Sequence, residues 1–207
     1  MTVSLTEDQI AARLKNAMHA QSGQPPYADT LYPPGSTPIE HRPAAVLIPL
    51  LKENGSWQVL FTRRNADLAE HSGQVAFPGG RSDPGDASPE ATALREAHEE
   101  IGLNPGDVRL LGRLHDFITI TNYRVTPVVG RIPWPYPLRP SPVEVSRIFT
   151  IPLEWLADPH NFEEKHRSLP ATGRSASVIY YQPYDQEILW GASARFTLTL
   201  LQSLELI

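Results

Sequence analysis

Proline placement is the tightest constraint on what this 207-residue chain can fold into. A proline supplies no backbone N–H and fixes φ, so it fits only at the first turn of a helix, at a free strand edge or in a connection. The chain has 21 prolines, and they are bunched: seven between Pro25 and Pro49, six between Pro127 and Pro142, and none in 50–77 or 106–126. Strands and helices are therefore expected in the proline-free stretches. Stiff connections are expected at 21–43, an arm lying over the core, and in PWPYPLRPSP, 133–142.

The rest of the composition removes whole classes of function. With no cysteine there is no disulfide framework, thiol nucleophile or iron–sulfur centre, and any metal must be held by oxygen or imidazole. Eighteen Lys+Arg against 23 Asp+Glu give a net charge of -5, which argues against a protein that coats nucleic acid. The start carries neither a basic leader nor an apolar run, and nothing approaches the roughly 18 to 20 apolar residues of a membrane span, so a soluble cytoplasmic protein without membrane contact is expected. The length suits one domain overall.

Local patterns set the elements. Ile10, Leu14, Ala17 and Met18 recur at helical spacing behind a Thr6–Gln9 capping box, with Leu5 placed to staple against Ile10. AAVLIPLL (44–51) and WQVLFTR (57–63) read as a hairpin turning at Asn54–Gly55, and QVAF (74–77) as a short third strand. SPEATALREAHEEIG (88–102) is a bounded helix, with Ser88 as N-cap, Pro89 at the first helical position and Gly102 as terminator. VRLLGRLHDF, ITITNYRVTPVVGRI, VSRIFTI and SVIYYQ have strand composition, and the tail repeats apolar residues at helical spacing. Short strands between helices predict an α/β (α+β) fold with a mixed sheet covered on both faces.

The chemistry is concentrated in GGRSDPGDASPEATALREAHEEIGL, 79–103. At ~100° per residue, Glu96 and Glu100 lie within about 40° of each other and Glu99 about 60° to the other side of Glu96. Three carboxylates thus share a helical face beside the apolar stripe of Ala93, Leu94, Ala97 and Ile101. Part-buried carboxylates need a neutralising partner, and an all-oxygen set favours Mg²⁺ or Mn²⁺ over zinc. Gly79 and Gly80, after Pro78, form a turn in which bare backbone is expected to approach a ligand closely.

REAHEEIGL, Arg95 to Leu103, resembles the core of the Nudix box at every fixed position. Counting back from Arg95 puts Ala87 and Arg81 where the box has glutamate and glycine; Asp86 and Gly80 fill those positions only with one residue inserted before the helix. LFTRRNADLAEHSGQVAFPGG, 60–80, is similar to the extension that precedes the box in the coenzyme A pyrophosphatase subfamily, with Leu60, Thr62, Arg64, Gly73 and FPGG at the expected spacing. It departs at Asn65, where serine or alanine is usual, and at Ala69, where arginine is common.

The resemblance implies a Nudix-like α/β/α sandwich, with an N-terminal helix and Pro-rich arm (1–43) packed on a hydrolase domain (44–207). It implies hydrolysis of the pyrophosphate of coenzyme A or its thioesters with Mg²⁺ or Mn²⁺. The alternatives are another nucleoside diphosphate derivative (ADP-ribose, NADH, a dinucleoside polyphosphate, an oxidised nucleotide) or a non-catalytic nucleotide-binding module. The metal is expected on Glu96, Glu99 and Glu100, with Arg95 holding a carboxylate in place and either Glu99 or Glu144 as general base. Arg63 and Arg64 alternate across a strand end, and Arg64, at the patterned position, is assigned to phosphate. His71 and Gln74 flank Gly73 as substrate contacts with Gly79 and Gly80. Tyr123 and Arg124 are expected to stack on and bind the adenosine part, and Trp155 and Trp190 to pack. The partner is a small-molecule nucleotide, and a homodimer is compatible with the sequence.

Overall fold

A computed structural model describes residues 3–20, 40–67, 72–119, 121–169 and 174–207. Helix α1 (Glu7–Ala20) is followed by β1 (Arg42–Glu53), β2 (Ser56–Arg64), β3 (Val75–Ala76), β4 (Gly79–Arg81) and α2 (Pro89–Ile101). Then come β5 (Arg109–Arg113), β6 (Phe117–Ile118), β7 (Tyr123–Arg131), β8 (Val145–Pro152), α3 (Leu153–Leu156), β9 (Phe162–Leu169), β10 (Arg174–Tyr181) and α4 (Gly191–Ser203). The proline-rich segment 21–39 lies outside the described residues.

Among the described residues, strands β1 to β8 form one mixed sheet, ordered β3-β2-β1-β7-β5 along its main path. The hairpin turns at Asn54 and Gly55, both left-handed at φ 50° and 84°. From it β1 and β2 pair through Leu50↔Val59 and then diverge. The segment 75–81 fills the gap: β3 pairs with Thr62 and Arg63 of β2, and β4 with Ala44 to Val46 of β1. Between them the Leu47 N–H donates to the Pro78 carbonyl at 2.8 Å. The N–H that Pro49 lacks would point the same way, into the fork where β1 leaves β4 for β2, so this proline costs the ladder little.

The sheet separates two cores. On one face Ala93, Ala97 and Ile101 of α2 pack on Ala45, Leu47, Leu51, Leu60 and Val128. On the other, Ile10 and Leu14 of α1 and Phe196, Leu200 and Leu201 of α4 pack on Ile48, Val59, Phe61 and Val129. The expected α/β/α layering is thus present. The N-terminal helix belongs to the second core, anchored by the Trp57 indole donating to the Leu5 carbonyl at 2.8 Å. Its capping box closes in both directions, Thr6 N to Gln9 Oε1 at 2.8 Å and Gln9 N to Thr6 Oγ1 at 3.2 Å. No helix among the described residues is long and apolar enough to cross a membrane.

Two strands depart from the sequence reading. Gly79 and Gly80, read as a turn, belong to β4. The segment from Phe162 to Leu169, too polar to read as a strand, is one because it pairs in register with β10, from Phe162↔Tyr181 to Leu169↔Arg174. Conversely, the strand read at 74–77 contracts to Val75–Ala76.

Helix α2 begins and ends where its caps dictate. Ser88 is extended and its hydroxyl accepts from the Ala91 N–H, and Gly102 stops the helix at φ 67°. Ser88→Ala removes an N-terminal bond and should lower unfolding stability by about 1 kcal/mol, read as a shift of the urea midpoint at unchanged m-value.

Candidate active site

The site is built where α2 lies over the wedge between β1 and β2. Glu100 points inward from the helix and is 4% exposed. Its Oε2 accepts from the Gly79 N–H at 3.2 Å and its Oε1 stands 3.5 Å from Arg64 Nη1. Burial pushes its pKa up to about 8, against the lowering effect of Arg64 and the Gly79 N–H. One turn earlier, Glu96 lies directly against Gly80, where any Cβ would come within 2.6 Å of its carboxylate. Burial raises the Glu96 pKa too, against the lowering pull of Arg95. Gly79 is required by the protein's own packing: a Cβ there would sit 2.4 Å from the Ala45 carbonyl oxygen.

Arg95 ties the helix to the loop before it. Its Nε and Nη2 donate to Oδ1 and Oδ2 of Asp86 at 3.1 and 3.0 Å, a two-pronged pair that holds the Asp86 carboxyl well below the usual range. Nη2 also donates to the Arg81 carbonyl at 2.9 Å, while Nη1 meets Glu96 at 2.9 Å and Glu99 at 3.2 Å. Thr92, fully buried, donates to the same Asp86 at 2.9 Å. Leu94, expected in the apolar stripe, is only half-buried, while Thr92 on the opposite edge of that stripe is buried. Asp86, to which counting back assigned a place only with an inserted residue, is the partner of Arg95.

Glu144 ends a turn that precedes β8 rather than beginning the strand. It is close enough to Glu96 and Glu100 that its charge raises the pKa of both. No cation among the described residues pairs with it. The proline-rich loop delivers it: Arg139 N and Ser141 N donate to the carbonyls of Ile101 and Glu100, each at 2.8 Å, capping the end of α2. Beside this turn the β2–β8 register slips, Arg63 facing Arg147 but Arg64 facing Val145. Ser146, the unmatched residue, donates its hydroxyl to the Arg63 carbonyl at 3.1 Å. Adjacent on β2, the two arginines point to opposite faces of the sheet. Arg64 reaches Glu100, and Arg63 reaches buried Glu187 at 3.5 Å.

The other expected contacts divide. The backbone of Gln74 accepts from Arg64 N–H at 3.0 Å, so Gln74 borders the site; His71 lies outside the described residues. Tyr123 and Arg124, neighbours on β7, project to opposite faces of the sheet. Tyr123 packs on the α1/α4 core under the Arg42 guanidinium, 4.1 Å from its ring centroid, and Arg124 faces Asp116 at 3.7 Å. Trp155 and Trp190 pack, against Tyr184 and Tyr180.

The donor chemistry suits a hard divalent cation: three glutamates on one helix, two of them with pKa values raised by burial, and a fourth carboxylate beside them. The three do not form a ready cage, however. Among the described residues no three acidic or imidazole side chains converge on one point. Arg64 holds Glu100, Arg95 holds Glu96, and Glu99 is about half-exposed on the far side of Arg95.

A model of the NUDIX domain matches residues 40–171. The chain belongs to the Nudix family. The Nudix enzyme is 39% identical over 176 residues to a protein of Photorhabdus laumondii subsp. laumondii named "Uncharacterized Nudix hydrolase NudL", with 84% of this chain and 90% of that one covered. It is 41% identical over 160 residues to the protein of the same name from Shigella flexneri serotype 5b, covering 76% and 80%. In fold it is similar to the MutT/nudix family protein from Enterococcus faecalis, with TM-score 0.52, 15% identity, and 91% of this chain and 73% of that one covered. The Nudix enzyme is accordingly a pyrophosphohydrolase.

The buried charge of Glu100 gives a pH test. Its pKa of about 8 lies above the ordinary glutamate value of 4.5, so without a divalent ion the folded chain holds this proton more tightly than the unfolded chain. The stability it contributes is full below about pH 4 and is lost as pH rises through about 8. Between those limits the parent should lose on the order of a few kcal/mol relative to Glu100→Gln in urea titrations with chelator, and added Mg²⁺ should flatten the difference.

Proposed function

We propose that this Nudix enzyme hydrolyses the pyrophosphate of coenzyme A or its thioesters, with Mg²⁺ or Mn²⁺, giving 3′,5′-ADP and 4′-phosphopantetheine or its acyl form. What supports the substrate is the place of the 60–80 extension in the fold: its patterned residues build the surface beneath the glutamates. Leu60 packs under α2, the Thr62 hydroxyl donates to the Ala76 carbonyl at 3.1 Å and fastens β3 to β2, and Arg64 reaches Glu100.

Each group then has a task. Glu96 and Glu100 are the residues that would hold the cation, with Glu99 beside them. A bound Mg²⁺ or Mn²⁺ supplies neutralisation of the phosphate oxygens and acidifies water. Arg64 binds phosphate: its Nε is enclosed and meets no acceptor among the described residues, so a donor is left for an anion at this position. Glu144 takes the proton of the attacking water. It is preferred over Glu99 because Arg95 already engages Glu99, while Glu144 has no cation partner among the described residues. Arg95 acts through Asp86 and Glu96, keeping the helix on its loop.

Purified protein incubated with coenzyme A and Mg²⁺ or Mn²⁺ should release 3′,5′-ADP, resolved by chromatography. Glu100→Gln should lower kcat/KM by about 100-fold or more, the scale of several kcal/mol of lost charge stabilisation. Turnover of ADP-ribose, NADH, a dinucleoside polyphosphate or an oxidised nucleotide with none of coenzyme A would replace the substrate. Parental activity in Glu100→Gln would overturn the metal ligands.

A further inference from the structure

The turn that carries Glu144 is held from two sides. On the helix side, Ser141 N donates to the Glu100 carbonyl, and the turn closes on itself through Glu144 N and Val145 N, which donate to the Ser141 carbonyl at 3.1 and 2.8 Å. On the strand side, one residue makes both attachments. The Asn65 backbone N–H donates to the Glu144 carbonyl at 2.8 Å, and its side-chain Nδ2 donates to the Pro142 carbonyl at 2.9 Å. The same amide's Oδ1 accepts from the Asp67 N–H at 3.3 Å. Its orientation is fixed by its partners, since a carbonyl only accepts and a backbone N–H only donates. Asn65 also directly follows Arg64, so the phosphate-facing guanidinium and the carboxylate across from it are set by adjacent residues of one chain segment.

We infer that Asn65 is a positioning residue for the carboxylate of Glu144, fixing the Pro142–Glu144 turn at its distance from the α2 glutamates. The inference rests on the assignment of Glu144 as general base. The backbone bond to Glu144 is open to any residue except proline. The bond to Pro142 needs a side chain with an N–H or O–H donor of this reach, and the asparagine amide supplies that donor together with an acceptor that ties it to Asp67. A carboxylate group of the same size has no N–H, and would set an anion against the Pro142 carbonyl oxygen.

The test is a double-mutant cycle on the hydrolysis reaction with Mg²⁺, each variant first checked by thermal unfolding. Asn65→Ala should lower kcat about 5- to 20-fold with KM within about two-fold, because a displaced base affects the chemical step and leaves substrate binding intact. Asn65→Asp should lose at least as much, and it stands in if the alanine variant does not fold. In the Glu144→Gln background the same substitutions should change kcat by less than about two-fold, since the group they position is gone. Amide hydrogen exchange at Val145 should quicken in Asn65→Ala while exchange at core strand amides of β7 does not. Unchanged kcat in Asn65→Ala and Asn65→Asp overturns the inference. So does a full loss repeated on top of Glu144→Gln, which would place the effect of Asn65 elsewhere. Parental kcat in Glu144→Gln alone removes the base assignment, and the positioning role with it, while leaving the metal and substrate readings to their own tests.

Discussion

One buried carboxylate organises the molecule's chemistry. Glu100 lies on the face of α2 that the sheet covers, where an unneutralised charge costs several kcal/mol. Its surroundings offset that cost in part, with one backbone N–H from the wedge between β1 and β2 and one guanidinium from the end of β2. They do not offset it fully, as the elevated pKa records. A position short of positive charge, with two further carboxylates nearby, is what a divalent cation completes. The rest of the site is arranged at distances set by this residue: Gly79 must come close enough to donate, Arg64 must be aimed away from Arg63, and the proline loop must reach the helix end.

What was legible in the sequence was local chemistry. Ser88 and Gly102 bound the acidic helix because capping involves residues a turn apart, and Asn54–Gly55 turns the hairpin for the same reason. The carboxylates were legible as a face but not as a geometry, because helical angles say nothing about which arginine each glutamate meets. Thr92 is buried because Asp86 and Ser82 offer its hydroxyl partners, and those contacts span a loop that no periodicity describes. Tyr123 and Arg124 were joined by adjacency in sequence and are parted by the alternation of a strand.

The harder features were those made by pairing. A polar segment such as FEEKHRSL becomes β9 because β10 offers it a complete ladder. Asn65 illustrates the reverse problem. As a departure from the subfamily pattern it weakened the match, and in the fold it bridges the strand that carries Arg64 and the turn that carries Glu144. A one-residue register slip at Ser146 is likewise invisible in composition, while plain alternation along β2 puts Arg64 and not Arg63 on the face of the helix.

The fit of Gly79 against β1 bears on how such a sequence can drift. The space a methyl group would need is filled by the Ala45 carbonyl oxygen and the Val46 Cα, backbone atoms that have no rotamer to change, so the constraint on this glycine comes from assembling the fold and not from handling substrate. Its neighbour Gly80 is a different case, since a methyl group there meets only the carboxylate end of the Glu96 side chain, which can turn away. A descendant that abandoned hydrolysis would thus still need glycine at position 79 while position 80 was free to change, and a glycine surviving at 79 is by itself no sign of a working enzyme.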